Sequence, residues 1–250
     1  MIDLHTHILP GLDDGARTLE ESVAMARAAV ADGIRIAAAT PHVRDDYPTS
    51  PSEMERGVAQ LREALAVEGV PLEVRTGGEI ALDRLGLLGP DELTSFALAG
   101  NPAYLLLEFP YYGWPLELET RVFELRARGI TAVIAHPERN AEVQAAPERL
   151  RRLVEQEALV QLTAASIDGR LGRSTRRTAL RLLELGLAHL VASDAHAPEV
   201  RAVGMKAAAA AIGDAELARW LTTDVPAAIV DGEELPERRA QRRRRRLGRR

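Results

Sequence analysis

The chain opens MIDLHTHILPGLDDG, with His5 and His7 one residue apart and Asp13 and Asp14 close behind. Imidazole nitrogens and carboxylate oxygens are ligands for divalent ions. The same residue types recur in short motifs further on: His42 in ATPHV, Glu79 in TGGEI, Glu108 in LLLEF, His136 in VIAHPERN, and Asp194 with His196 in VASDAH. The candidate ligands are thus His5, His7, Asp14, His42, Glu79, Glu108, His136, Asp194 and His196. One transition-metal ion takes about four to six ligands, so nine donors suit two or three ions that share a bridging carboxylate. Glu79 or Asp194 can bridge. With only N and O donors, Mn²⁺, Fe and Zn²⁺ all qualify. Asp13-Asp14-Gly15 also has the composition of a simple turn.

Arg139 follows His136 by three residues, and Arg201 follows His196 by five. A guanidinium binds phosphate oxygens in a bidentate way, and it equally makes surface salt bridges. The loop FPYYGWP sets Tyr111, Tyr112 and Trp114 just past Glu108. Aromatic rings there can stack on a substrate ring or cap the core.

These donors need elements to hold them. Short apolar runs that read as buried strands cover residues 2–4, 35–39, 72–76, 104–108, 131–135, 159–163 and 189–193. Helical stretches separate them. Thr18 with Glu21 and Ser50 with Glu53 are capping boxes, followed by apolar residues at helical spacing that stop at Gly33 and Gly69. Further amphipathic runs cover 116–128, 147–157, 174–185 and 200–212. Strand then helix, repeated about seven times, predicts an α/β fold with a parallel sheet and helices outside it. Five of the six histidines fall at or just past the C-terminal end of a strand, the edge where parallel α/β folds bind ligands. His189 begins a strand instead and reads as structural. Donors from successive strands round one mouth favour a closed barrel over an open sheet. Residues two apart on a strand face one way. His5 with His7, and Asp194 with His196, therefore close a ring if the first and last strands are neighbours.

Composition excludes several alternatives. There is no cysteine, hence no disulfide, thiolate metal site or cysteine nucleophile. No apolar run reaches the roughly 18–20 residues of a membrane span, and no secretory leader is visible, which predicts a soluble cytoplasmic protein without membrane insertion. Removing the nine arginines of residues 238–250 from the net charge of −5 leaves −14. That tail has the charge to meet nucleic acid or an acidic surface, but arginine is general here, with Lys206 the only lysine. A disordered, solvated tail with no nucleic-acid partner is the expectation.

DLHTH, DDG, TPH, GGEI, LLLEF, IAHPERN and ASDAH, in this order and spacing, resemble the PHP (polymerase and histidinol phosphatase) superfamily, and within it the bacterial metal-dependent tyrosine-protein phosphatases of the CpsB/CapC type. The resemblance runs from Met1 to about residue 230. It implies a distorted (β/α)7 TIM-like barrel over residues 1–237, two or three divalent ions, usually Mn²⁺, and hydrolysis of phosphotyrosine on the tail of a bacterial tyrosine kinase that controls capsule and exopolysaccharide synthesis. By motif, His5, His7, Glu79 and Asp194 resemble one ligand set. Glu79 recurs as a bridge to Glu108 and His136, and Asp14, His42 and His196 resemble a third set. Arg139 and Arg201 match phosphate-binding arginines. Without a thiolate, water activated by metal must attack phosphorus. His42 or His196, released from metal, could serve as proton donor to the leaving group. Related alternatives are a histidinol-phosphate phosphatase, a nuclease-like phosphoesterase, and an inactive module that docks on a kinase tail. An amidohydrolase also starts with HxH, but its bridging carbamylated lysine has no counterpart, since Lys206 lies in a late helix.

Overall fold

The computed structural model describes residues 1–197 and 202–238. Strand β1 is Ile2–Thr6. The expected second strand is broken into β2 (Ile36–Ala39) and β3 (His42–Arg44), on either side of Pro41, which has no N–H to give to a ladder. A two-residue β4 (Tyr47–Pro48) returns antiparallel on β3. The third strand is broken as well, into β5 (Glu73–Arg75) and β6 (Glu79–Ala81) around Gly77-Gly78. A Cβ on Gly78 would stand 2.6 Å from the Phe96 ring, so only glycine passes there. Next come β7 (Tyr104–Glu108), β8 (Thr131–Ile134), β9 (Leu159–Thr163) and β10 (Leu190–Ala192). His42 and Glu79 therefore do not trail a strand, as the spacing suggested. Each opens the upper half of a broken one.

The strands form two ladders, β1-β2-β5 and β10-β9-β8-β7-β6-β3-β4. Because β2 runs on into β3 and β5 into β6, the ladders are parts of one ring. The ring closes where Thr6 bridges Ala195: Asp194 N donates to His5 O at 2.8 Å and His7 N to Ala195 O at 2.9 Å. The first and last strands are thus neighbours. β5 pairs with β2 alone, so the barrel is distorted and its ladder stays open beside β5.

Both faces of the sheet are buried, which is why β7 reads LLL without alternation. Leu105 and Leu107 belong to the outer core, the same cluster as Met54, Leu61 and Leu182 of the surrounding helices. Leu106 packs inward with Ile2, Leu4, Val133, Leu159 and Leu190, joined by Val225 and Ile229 of the helix Val225–Asp231. Glu108 shares the parity of Leu106 and so ends the strand on the inner side.

The helices Leu19–Ala31 and Pro51–Val67 form where their caps predict, with Thr18 and Ser50 accepting from Glu21 N and Glu53 N. The run at 147–157 divides into a 3₁₀ turn, Pro147–Leu150, and a short helix, Arg151–Glu155. The last predicted run begins its helix only at Met205. Arg201 and residues 239–250 of the arginine tail lie outside the described residues. Arg238, where that tail was expected to start, donates from Nη2 to Leu183 O at 2.9 Å. No helix among the described residues is long and apolar enough to cross a membrane.

Candidate metal centre

All nine candidate ligands come together at the mouth formed by the strand ends. His5 and His7 point Nε2 at Nε2, 3.2 Å apart. Glu79 is the hub: Oε2 lies 3.3 Å from both His5 and His7 and 2.9 Å from His42 Nδ1, while Oε1 lies 2.8 Å from His136 Nε2. Asp194 Oδ1 is 3.5 Å from His5 and 3.4 Å from His7. Glu108 stands 3.8 Å from both His42 and His136. Asp14 Oδ1 faces His42 at 3.4 Å and His196 at 3.2 Å. Four groups result in which the donor atoms lie within 4.8 Å of one another: His7, Asp14, His42 and His196; His5, Glu79 and His136; His5, His7 and Asp194; His42, Glu79 and Glu108.

These spacings fit metal ions. An ion about 2.1 Å from each donor separates neighbouring donors by roughly 3.0 Å at right angles and 3.4 Å in a tetrahedron. The hub also behaves as a ligand. His42 Nδ1 and Glu79 Oε2 are buried and 2.9 Å apart, in one donor group with Glu108. Donor atoms that converge this closely from separate strands have the spacing of ligands to one ion.

The electrostatics alternate. Burial disfavours the Glu79 charge, but His5 and His42 hold its carboxyl well below the usual carboxylate range. Burial also opposes protonation of His42, and Glu79 and Asp14 overcome it, raising the ring to about 9. Burial and then the Glu79 charge push Glu108 up to about 7. Burial and then Arg139 push His136 down to about 4, leaving a neutral imidazole suited to ligation. Divalent ions binding here therefore displace protons from the cluster.

The local backbone explains how His136 gets there. Ile134 packs outward and Ala135 inward, so a straight strand would send His136 out. Its φ of 31° turns the ring back into the mouth. Asp194 is also left-handed, at φ 51°. Such backbone costs on the order of 1–3 kcal/mol per residue and concentrates at functional sites.

Several supporting residues were not legible from spacing. Asp13 takes the role left open for it: Oδ2 bonds His7 Nδ1 at 2.6 Å and accepts His42 N at 2.9 Å. It orients ligands, while Asp14 faces the cluster. Gly15 follows because a Cβ would stand 2.1 Å from His7 O. Gln161 Oε1 sits 3.1 Å from His5 Nδ1 and accepts His136 N at 3.2 Å. Its one signal was an amide inside the apolar run Leu159–Thr163. Tyr47 stacks on His42 at 5.8 Å, and Arg44 Nη1 lies 3.6 Å from Glu108. His189 is structural, with Nδ1 accepting from Val160 N at 3.1 Å. Carboxylates that hold a ligand histidine typically contribute about 10–100-fold to metal affinity. Asp13→Asn is expected to weaken ion binding by that factor in a competition titration against a chromophoric chelator. Unchanged affinity would remove Asp13 from the site.

Arg139 is nearly buried beside the cluster. Nη2 pairs with Asp194 and donates to Thr163 Oγ1 at 3.1 Å, and Nη1 donates to Tyr111 OH at 3.4 Å. The aromatic loop divides. Tyr111 lies 5.9 Å from the His136 ring, Tyr112 is exposed, and Trp114 packs edge-on against Phe109.

The chain is similar to known proteins in both sequence and fold. The tyrosine-protein phosphatase YwqE of Bacillus subtilis (strain 168) is 41% identical over 203 residues, covering 80% of this chain and 79% of its own. The tyrosine-protein phosphatase CpsB of Streptococcus pneumoniae is 30% identical over 241 residues, covering 92% and 98%. A solved structure from the pair YwqE of B. subtilis and CpsB of S. pneumoniae, described as unique metal-dependent tyrosine phosphatases, superposes with a TM-score of 0.86 at 36% identity, covering 94% of this chain and 96% of its own. With the model for capsular polysaccharide synthesis, CpsB/CapC, matched over residues 1–229, the chain belongs to the CpsB/CapC family.

Proposed function

We propose that this chain is a metal-dependent protein-tyrosine phosphatase, acting in the cytoplasm on the phosphorylated tail of a bacterial tyrosine kinase in capsule or exopolysaccharide synthesis. The observation that carries the reading is the pairing of Arg139 with Asp194, which sets a phosphate-type guanidinium directly against the donor cluster. The nine donors would hold two or three divalent ions; the N and O ligands suit Mn²⁺, Fe and Zn²⁺ alike, and the family resemblance favours Mn²⁺. Such ions supply a strong nucleophile from water at neutral pH and offset phosphoryl charge.

The chain's own residues do the rest. Arg139 is held by Asp194, Thr163 and Tyr111 with its guanidinium beside the donor cluster, where it would offset phosphoryl charge. Arg201, five residues past His196, is proposed for the same role on its spacing alone. Tyr111, held by Arg139, offers one wall to the substrate ring. His42 and His196 share Asp14 at the outer side of the cluster, the position from which a proton can reach the leaving oxygen. A phenolate leaving group, with pKa near 10, asks little of that donor.

The test is turnover of a phosphotyrosine peptide with and without chelator. Activity is expected to fall at least about 100-fold on chelation and to return with added Mn²⁺. Phosphoserine peptide, histidinol phosphate and single-stranded DNA serve as comparison substrates. Faster turnover of any of these, or full activity in chelator, would overturn the assignment.

A further inference from the structure

The arginines of the helix Arg173–Leu185 take no part in that chemistry. Arg173, Arg176, Arg177 and Arg181 line a groove of about 520 Å³ that also includes Gln144 and Glu184. Arg181 is committed to Glu148 at 3.0 Å and Glu184 at 3.3 Å. The other three have no carboxylate partner among the described residues. Arg173 and Arg177 are exposed, and Arg176 donates Nε to Ile167 O at 3.2 Å. Residues 1–237 carry a net charge of −14, so this patch runs against the overall charge of the chain before its tail. Helix stability does not account for it either. The first turns of a helix favour carboxylates, and here they hold three arginines and no acid in the first turn.

The groove adjoins the mouth. The helix follows β9 and the short helix Ala164–Asp168, so its first turns lie on the side of the strand C-termini. Ser174 Oγ donates to Gln144 Oε1 at 2.8 Å, and Gln144 Nε2 donates to the carbonyl of Glu138, next to Arg139, at 3.0 Å. An extended peptide advances about 3.3–3.6 Å per residue. A substrate with its phosphotyrosine at Arg139 lays its next few residues along these arginines.

We infer that this groove binds carboxylate side chains flanking the phosphotyrosine of a polypeptide substrate, through Arg173, Arg176 and Arg177. The inference rests on the phosphotyrosine reading above and adds the class of substrate polypeptide that the enzyme selects. Guanidinium–carboxylate pairs at such a rim steer association and are screened by salt.

The experiment compares the metal-loaded full chain with the double variant Arg173→Glu/Arg177→Glu and the charge-keeping Arg173→Lys/Arg177→Lys. Substrates are free phosphotyrosine and phosphotyrosine peptides with acidic or neutral residues on either flank. The wild type is expected to favour an acidic peptide over its neutral counterpart about tenfold in kcat/KM, mainly through KM, and to lose most of that preference in 0.5 M salt. The Glu variant should lose the preference and the Lys variant keep most of it, with free phosphotyrosine turned over within twofold in all three. No preference in the wild type, or a preference that survives in the Glu variant, overturns the inference. Fluorescence anisotropy of the same peptides reads the groove without turnover. A wild type that binds the acidic peptide through these arginines but hydrolyses no phosphotyrosine would overturn the functional reading and leave the groove standing.

Discussion

Glu79→Gln is expected to lower kcat/KM on a phosphotyrosine peptide by about 10³-fold or more and to remove at least one equivalent of bound metal. Glu79 lies within 3.3 Å of four imidazoles, His5, His7, His42 and His136, through two different oxygens. Of the candidate carboxylates, Glu79 is the one that belongs to two of the donor groups, with His5 and His136 and with His42 and Glu108. Glutamine keeps the shape and one oxygen. It replaces the other oxygen with a donor and removes the negative charge. A bridge between ions needs both oxygens and the charge, so shape alone cannot rescue it. The change is nearly isosteric in a buried position, and the fold is expected to survive, which a thermal melt by circular dichroism checks. Metal content by elemental analysis, read beside kcat/KM, decides the matter. A variant with full metal content and activity within threefold of wild type would show that Glu79 does not bridge.

Arg139→Ala should produce a loss of similar size by a different route. Activity is expected to fall about 10²–10³-fold, with metal content unchanged, and inhibition by inorganic phosphate should weaken in parallel. Burial opposes ionisation of Asp194, and Arg139 then His5 hold its carboxyl well below the usual range. Removing Arg139 takes away one counter-charge, while His5 still faces Asp194 and any ion held there would add its own charge, so ligation is expected to persist. Arg139→Lys should recover little. Nη2 meets both Asp194 and Thr163 while Nη1 meets Tyr111, a planar fork that an ammonium does not reproduce. Loss of metal in the alanine variant would reassign Arg139 as a structural counter-charge. Activity within threefold would remove it from phosphate binding.

Much of this centre could be read from residue order because strand patterns are local. Apolar runs mark buried strands, and a polar residue that ends such a run sits at the sheet edge. That is enough to place His5, His7, Glu108 and Asp194, and to count too many donors for one ion. It does not show that the second and third strands break, with His42 and Glu79 opening the upper halves. Pro41 and the Gly77-Gly78 pair carried a signal, but the Phe96 ring that demands Gly78 comes from another segment. Nor does alternation predict His136, whose parity points outward and whose left-handed backbone reverses it.

The residues that orient the ligands were least legible. Gln161 meets His5 across 156 positions, and Tyr47 reaches His42 only because β4 folds back on β3. Asp13 and Asp14 are chemically identical neighbours, and only the loop around Gly15 decides which one grips His7 and which faces the cluster. By itself, then, the sequence determined the strand–helix repeat, the donor types and the edge of the sheet where they gather. The tertiary structure alone decided which donors share an atom's space, which carboxylates merely hold them, and that the arginines of one helix line a groove beside the mouth. The physical reason is range. Periodicity and capping act over a few residues, whereas a metal-ligand geometry is set to tenths of an ångström by the closure of a ring whose ends, His5 and Asp194, lie 189 positions apart.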